Sequence, residues 1–148
     1  MKRLLAMLSI VAACKSPPPP ARDCLPYSAD LMPRLTDGLI RKDFRIANAW
    51  AVRSDKPMDT VPAYFVSADI IAPNGEAVIG TWLTDKITVP GRIYSVSPQA
   101  TKYTNWGGTG DRLTAGVTVE TGGVKESREC VLKNRSKAVT PTPAAVSP

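Results

Sequence analysis

The side chains in this sequence that are most able to do chemistry are three cysteines, Cys14, Cys24 and Cys130. A cysteine thiolate is a nucleophile and can form a thioether, a disulfide or a bond to a metal. The chain contains no histidine, which excludes Ser-His-Asp and Cys-His catalysis and any metal held by histidine. The segments around each cysteine therefore decide its role.

The first thirteen residues have the pattern of an export signal. Lys2 and Arg3 give a basic start, and residues 4–13 are apolar apart from Ser9. As a helix this run spans roughly 15 Å, about half of the hydrocarbon core, so it is too short to cross a membrane. Its length and flanking charge indicate a secretory signal. An ordinary signal peptide with an unrelated cysteine, or a cytosolic chain with an apolar start, are the alternatives.

The end of the apolar run, Val11-Ala12-Ala13-Cys14, resembles the lipobox of bacterial lipoproteins. The resemblance implies cleavage before Cys14, diacylglycerol on the Cys14 sulfur and, in some bacteria, acylation of the new amino terminus. Two or three acyl chains make membrane anchoring stable where one chain is marginal. Residues 1–13 are thus predicted to be a lipoprotein signal peptide, and the mature chain to be extracytoplasmic and held on a bacterial membrane.

If Cys14 carries lipid, Cys24 and Cys130 remain. An exported chain lies in an oxidising compartment, so these two cysteines are predicted to form a disulfide that closes a loop of about a hundred residues. Two free thiols are the alternative, and a metal site made of two distant cysteines without histidine is less favoured. No metal, cofactor or catalytic residue is predicted.

The formal net charge of +6 does not describe the domain. Between Cys24 and Leu132 the sequence contains 12 Lys and Arg and 12 Asp and Glu, so this part is neutral and the surplus lies in the flanks. A neutral domain lacks the basic face of a nucleic-acid-binding protein. Basic flanks beside a lipid anchor suit an anionic membrane leaflet.

Composition divides the chain into four segments. After the signal, residues 14–23 contain Pro17–Pro20 in a stretch that favours polyproline II, and this tether reaches at most roughly 28 Å. Residues 24–133 are predicted to form one globular domain, and residues 134–148 a disordered tail. The oligomeric state is not predicted.

Within the domain, residue patterns predict an α+β fold. Alternating apolar residues predict an antiparallel sheet of four or five strands, and Pro73-Asn74-Gly75 is a hairpin signal. Helices are predicted where a cap precedes apolar residues at helical spacing, as at Ser28 with Pro33 in the first turn, and the N-terminal and C-terminal helices should pack on the sheet. The predicted strands are 44–53, 64–71, 77–83, 92–97 and 113–119, and the predicted helices are 28–42, 98–104 and 121–133.

Short motifs along the domain look like those of small lipoproteins of actinobacteria and their phages. The motifs are YFVSADI from Tyr64, GTW from Gly80, YSV from Tyr94, WG at Trp106 and ESRECV from Glu126. The resemblance covers roughly residues 30–132. It implies an exported, single-domain protein and carries no assigned activity.

Few residues are candidates for ligand contact. The glycine-rich residues 105–112 could cradle phosphate, although they lack the Lys-Ser/Thr ending of a P-loop and an ordinary loop is favoured. Trp106 in this loop is the candidate for stacking on a ligand, whereas Trp50 and Trp82 are predicted in the core. A catalytic carboxylate pair would have to come from Asp69, Glu76 and Glu120, for which surface positions are the favoured interpretation.

These observations favour a lipid-anchored binding or interaction module of the cell envelope without catalytic activity. Its partners would be the membrane, through Cys14, and an envelope protein or glycan. One alternative is a phage-encoded lipoprotein that excludes superinfecting phages. A second, less favoured alternative is a carboxylate-dependent enzyme that acts on envelope glycans.

Overall fold

The computed structural model of the chain describes residues 22–88, 91–108 and 114–135. The predicted signal, Cys14 and the tether up to Ala21 lie outside the described residues, as does the predicted tail from Ser136 onward. The described part belongs to the α+β class, as predicted, with a five-stranded antiparallel sheet in the order β1-β2-β3-β4-β5. The strands are β1 (Leu25–Pro26), β2 (Arg45–Arg53), β3 (Tyr64–Ile71), β4 (Ala77–Thr84) and β5 (Ile93–Ser95). The helices are α1 (Met32–Asp37), which follows a 3₁₀ turn at Ala29–Leu31, α2 (Pro98–Tyr103) and α3 (Val124–Arg135).

Helices cover both faces of the central strand β3. Side chains alternate between faces along a strand, and Val66, Ala68 and Ile70 form one apolar cluster with α1, α2 and Trp82. The intervening residues face α3, because Ser67 hydrogen-bonds Ser127 of that helix at 2.8 Å. Burial on both faces explains why β3 reads as a nearly continuous apolar run.

Capping residues mark where the helical segments begin. The Ser28 hydroxyl accepts a hydrogen bond from the Asp30 amide at 3.2 Å, and Pro33 lies in the first turn of α1, as predicted. The predicted helix over 28–42 is shorter, however, because α1 ends at Asp37 with Gly38 as its C-cap, and Leu39 pairs with Thr104 in an isolated bridge. Ser97 caps α2 by accepting from the Ala100 amide.

The prediction of a strand over 113–119 is wrong for its described part. Residues 114–119 form turns: the Val117 amide donates to the Thr114 carbonyl, and Gly116 has a φ of +76°. The Thr118 amide donates to the Thr121 hydroxyl, so backbone groups of this segment form hydrogen bonds with nearby residues and not with a neighbouring strand. The fifth strand is instead the two-residue β1, which is too short to leave an alternating pattern in the sequence.

The two ends of the sheet differ in what they carry. Leu25 pairs with Ala51, so the chain before β1 runs toward the end where β2 stops at Arg53. Arg22, the first described residue, forms an ion pair with Asp55 there. We call this the Arg22 end. The β3–β4 hairpin lies at the other end, which we call the hairpin end.

Tyr27 gives the fold a dependence on alkaline pH. The residue is buried in the apolar cluster, and burial raises the pKa of its hydroxyl to about 12, an effect that the nearby Arg34 charge partly opposes. Because the folded-state pKa lies above the unfolded value, the stability that the neutral Tyr27 hydroxyl contributes is fully present below about pH 10 and is lost between pH 10 and 12. We expect this loss to approach about 2 kcal/mol. Urea unfolding of wild type and Tyr27→Phe across this pH range measures it. Parallel pH profiles for the two proteins would show that Tyr27 does not titrate in this way.

Candidate functional site

Trp106, the tryptophan proposed from sequence to contact a ligand, packs beside α1 and remains partly exposed. Its indole is half-buried against the apolar cluster, and the guanidinium of Arg34 lies 5.5 Å from the ring centroid. A Cβ at Gly38 would come within 2.0 Å of Trp106 Nε1. The close approach of the ring therefore requires glycine at position 38. Trp106 lines none of the three surface depressions described below.

Replacing Gly38 should test this packing. Gly38 has an ordinary φ of −72°, so Gly38→Ala acts through its collision with Trp106 and not through backbone strain. We expect the free energy of unfolding to fall by about 1–3 kcal/mol and the tryptophan emission to shift to the red. Gly107→Ala is the matched control, because a Cβ there meets no atom within 4 Å. Equal unfolding free energies for the two variants would contradict the placement of Trp106.

The described half of the glycine-rich segment is tied to the edge of the sheet. The Ser95 amide donates to the Gly107 carbonyl at 2.8 Å, and the Ser95 hydroxyl donates to the Trp106 carbonyl at 2.7 Å. A Cβ at Gly108 would lie 2.0 Å from the Ser95 carbonyl oxygen. Gly108 is therefore explained by close backbone packing. Residues 109–113, with Asp111 and Arg112, lie outside the described residues.

The three carboxylates considered for catalysis lie in different surroundings. Asp69 is buried under α3, where it pairs with Arg135 and accepts a hydrogen bond from Asn48 at 3.1 Å. Glu76 is exposed in the β3–β4 turn and accepts from Asn74 at 2.8 Å. Glu120 is exposed beside α3 and lines a different depression from Glu76.

One shallow groove beside α3 does contain two carboxylates, Glu120 and Glu129, together with Lys125 and Arg128. Its two negative and two positive charges balance. Leu132, whose surface is 52 % exposed, lies at its margin. The groove was not anticipated from the sequence: Glu120 was placed between a predicted strand over 113–119 and a predicted helix over 121–133, whereas residues 114–119 form turns.

Cys24 and Cys130 lie at disulfide distance, with 5.7 Å between their Cα atoms and a sequence separation of 106. This confirms the predicted pairing. Cys130 is buried in α3, so the bond joins the start of the domain to its C-terminal helix.

The best-defined candidate binding surface lies at the hairpin end. We call it the hairpin-end patch, and it surrounds a depression of about 410 Å³. Exposed Ile40 adjoins it, because the Ile40 amide donates to the Tyr103 carbonyl at 3.0 Å. The residues of the patch that carry the argument are Ile40, Arg41, Phe44, Glu76, Val78 and Tyr103.

Aromatic rings and cations form the centre of this patch. Phe44 and Tyr103 stack with 5.4 Å between ring centroids and an interplanar angle of 27°. The Arg41 guanidinium carbon lies 4.8 Å from the Phe44 centroid, and the Lys102 ammonium lies 5.1 Å from that of Tyr103. The ring faces are thus already in contact with neighbours, and the ring edges are left to meet a partner.

Arg41 is held in place by a carboxylate. Its Nε and Nη2 atoms donate to the two oxygens of Asp43 at 3.1 and 2.7 Å. This pairing raises the pKa of Arg41 and lowers that of Asp43. Both side chains are exposed, so the pair orients the guanidinium more than it stabilises the fold.

Sequence reasoning missed the hairpin-end patch because its members are far apart in the chain. Phe44 was read as the first residue of an alternating strand, and Tyr103 as part of a short helix. Packing of α2 on β4 brings Tyr103 to the loop that precedes β2. The sequence gives only a weak signal, a cation close to each aromatic residue: Lys102 directly precedes Tyr103, and Arg41 lies three positions before Phe44.

Comparisons with known proteins add nothing to these observations, because no protein-family model, curated protein or solved structure matches the chain. In the described parts of the chain, no helix is long and apolar enough to cross a membrane. Those same residues contain no cluster of three or more metal-binding side chains. The resemblance to actinobacterial lipoproteins stays a prediction.

Proposed function

We propose that this chain is a lipid-anchored binding module of a bacterial cell envelope, tethered at its Arg22 end and presenting the hairpin-end patch to a protein partner. One observation carries the proposal: Arg22 and the patch lie at opposite ends of the sheet. Arg22 pairs with Asp55 just after β2, whereas Phe44 precedes β2 and Glu76 lies in the β3–β4 turn.

The distances suit a tethered module. The eight residues of β3 separate the two ends by roughly 26 Å at about 3.3 Å per residue. A tether from Cys14 adds at most roughly 28 Å. The patch would therefore stand up to roughly 50 Å from the bilayer and face away from it, where an envelope protein could reach it.

The chemistry of the patch favours a protein over a glycan. A sugar ring stacks on a free aromatic face, but the faces of Phe44 and Tyr103 are contacted by each other, Arg41 and Lys102. Ile40 and Val78 add exposed apolar surface, 59 % and 36 % exposed. Aromatic residues and arginine with adjacent apolar surface are typical of protein–protein binding sites.

Site-specific photo-crosslinking in the cell envelope tests this function. A photoreactive residue at Val78 should give one discrete protein adduct, and Ile40→Asp should reduce its yield about tenfold or more, as expected when a contact residue is disrupted. Leu132→Asp is the matched control, because Leu132 is 52 % exposed on α3, away from the patch. Both substitutions add a charge at an exposed apolar position, so both should leave stability within about 0.5 kcal/mol of wild type.

Three results would contradict the proposal. Equal adduct yields for Ile40→Asp and Leu132→Asp would mean that the patch is not the docking surface. An adduct that disappears on digestion of the cell-wall glycan would identify a glycan partner. An unchanged adduct and unchanged membrane fractionation for Cys14→Ser would remove the lipid anchor from the account.

A further inference from the structure

A second cavity lies at the Arg22 end, and the proposed function does not use it. We call it the Arg22-end cavity; its volume is about 390 Å³. It opens between the loop after β2 and the turns that precede α3, and its floor is formed by Phe65 and Leu83. These two residues are direct partners across β3 and β4, and they are only 2 % and 4 % exposed. Part of the apolar core is therefore accessible from this end of the domain.

The buried part of the cavity lining is apolar, whereas its more exposed part is mixed. Phe65 and Leu83 are buried, and the partly or fully exposed lining residues include Pro57 and Val117 as well as Ser54, Lys56 and Thr121. A cavity with an apolar interior and a few polar groups at its entrance fits an amphiphilic ligand. The volume lies within the range of about 300–1,000 Å³ that small-molecule sites occupy.

One cation at the mouth has no acidic partner among the described residues. Asp55 lines the cavity and pairs with Arg22, which also pairs with Glu126 at 3.5 Å. Lys56 is exposed and forms no ion pair with any residue in the described ranges. An uncompensated lysine beside an apolar cavity favours a ligand with an anionic head group.

The position of the cavity identifies the source of such a ligand. Arg22 contacts the rim, because a Cβ at Gly122, another lining residue, would lie 3.0 Å from Arg22 Nη1. Arg22 is only eight positions after Cys14 in the sequence, a reach of at most roughly 25 Å. We propose that the Arg22-end cavity takes one acyl chain of an anionic membrane phospholipid, with Lys56 at the phosphate. This inference rests on the proposed anchoring at Cys14.

Photolabelling from vesicles tests the inference. The full-length protein is mixed with phosphatidylglycerol vesicles whose lipid carries a diazirine midway along one chain, and labelled peptides are mapped by mass spectrometry. We expect labels on the peptides that contain Phe65, Leu83 and Val117. Ala115→Trp, which fills the mouth from an exposed position, should reduce this labelling about tenfold, corresponding to about 1.4 kcal/mol of binding. Ala77→Trp is the matched control, because Ala77 is also exposed but lies at the hairpin end.

The outcomes separate this inference from the proposed function. Labels confined to other surfaces, or equal labelling of Ala115→Trp and Ala77→Trp, would overturn it. Equal labelling from phosphatidylcholine vesicles that carry the same diazirine, or an unchanged signal in Lys56→Glu, would overturn the assignment of an anionic head group. If Cys14→Ser protein added to the vesicles is still labelled in the cavity, the inference is supported whether or not wild-type Cys14 is acylated.

Discussion

Removing the disulfide should destabilise the domain by about 4–5 kcal/mol. The Cys24–Cys130 bond closes a loop with a sequence separation of 106 residues, and the entropy that it removes from the unfolded chain grows with the length of that loop. Cys24→Ser combined with Cys130→Ser, compared with wild type by urea unfolding at 25 °C, measures the difference. A loss of this size is a large fraction of the stability of a small domain, typically about 5–15 kcal/mol.

The mechanism of this effect is testable separately. Without the bond the unfolded chain expands, so the dependence of the unfolding free energy on urea concentration should become steeper. Reduction of the wild-type protein should reproduce the double substitution. Cys14→Ser, which leaves the bonded pair intact, should not change the free energy of unfolding. A loss below about 1 kcal/mol in the double variant would contradict the chain-entropy account.

The second large effect is expected at Asn48, which forms a bulge in β2. Asn48 has a positive φ of 53°, and the pairing of β2 with β3 shifts between Ala47 and Trp50. Its side-chain amide donates to Asp69 Oδ2 at 3.1 Å and to the Val131 carbonyl at 3.0 Å. Its side-chain oxygen accepts from Trp50 Nε1 at 2.8 Å. One residue thus links β2, β3 and α3.

We expect Asn48→Ala to lower the free energy of unfolding by about 3–5 kcal/mol. The substitution leaves three polar groups without this partner, each at a cost of about 1–3 kcal/mol where it is buried, and it places alanine at a positive φ. Asn48→Gly removes the same hydrogen bonds without that backbone cost, so it should be more stable than Asn48→Ala by about 1 kcal/mol. Urea unfolding of both variants gives the comparison.

Asn74→Ala is the control for loss of an asparagine. Asn74 makes two hydrogen bonds in the exposed β3–β4 turn, both to Glu76, where water can replace them. We expect a change within about 0.5 kcal/mol. A loss for Asn48→Ala no greater than that of Asn74→Ala would show that the bulge does not couple the sheet to α3.

The same bulge explains where the sequence was read correctly and where it was not. Strict alternation places Ile46, Trp50 and Val52 on one face of β2. In the structure Ile46 shares a face with Ala51, while Trp50 and Val52 turn toward α3, because the extra residue in the bulge reverses the alternation. Strands β3 and β4 have no such irregularity, and their predicted ranges agree with the structure to within one residue.

Covalent and local features were predictable, whereas contacts between distant segments were not. The disulfide, the Ser28 cap and the hairpin after β3 each follow from a few neighbouring residues or from cysteine counting. The hairpin-end patch and the Arg22-end cavity depend on how α2 and the turns before α3 pack, which no periodicity reports. The packing of Trp106 is a contact of the same kind, because it involves Gly38, which is 68 positions earlier in the numbering.

Mass spectrometry of the mature protein, purified from membranes of the native host or a bacterial host that processes lipoproteins, tests the central claim most directly. The account predicts a chain that begins at Cys14 and carries diacylglycerol on its sulfur, with Cys24 and Cys130 joined. An intact Met1, or an amino-terminal region in which Cys14 bears no acyl chain, would contradict it.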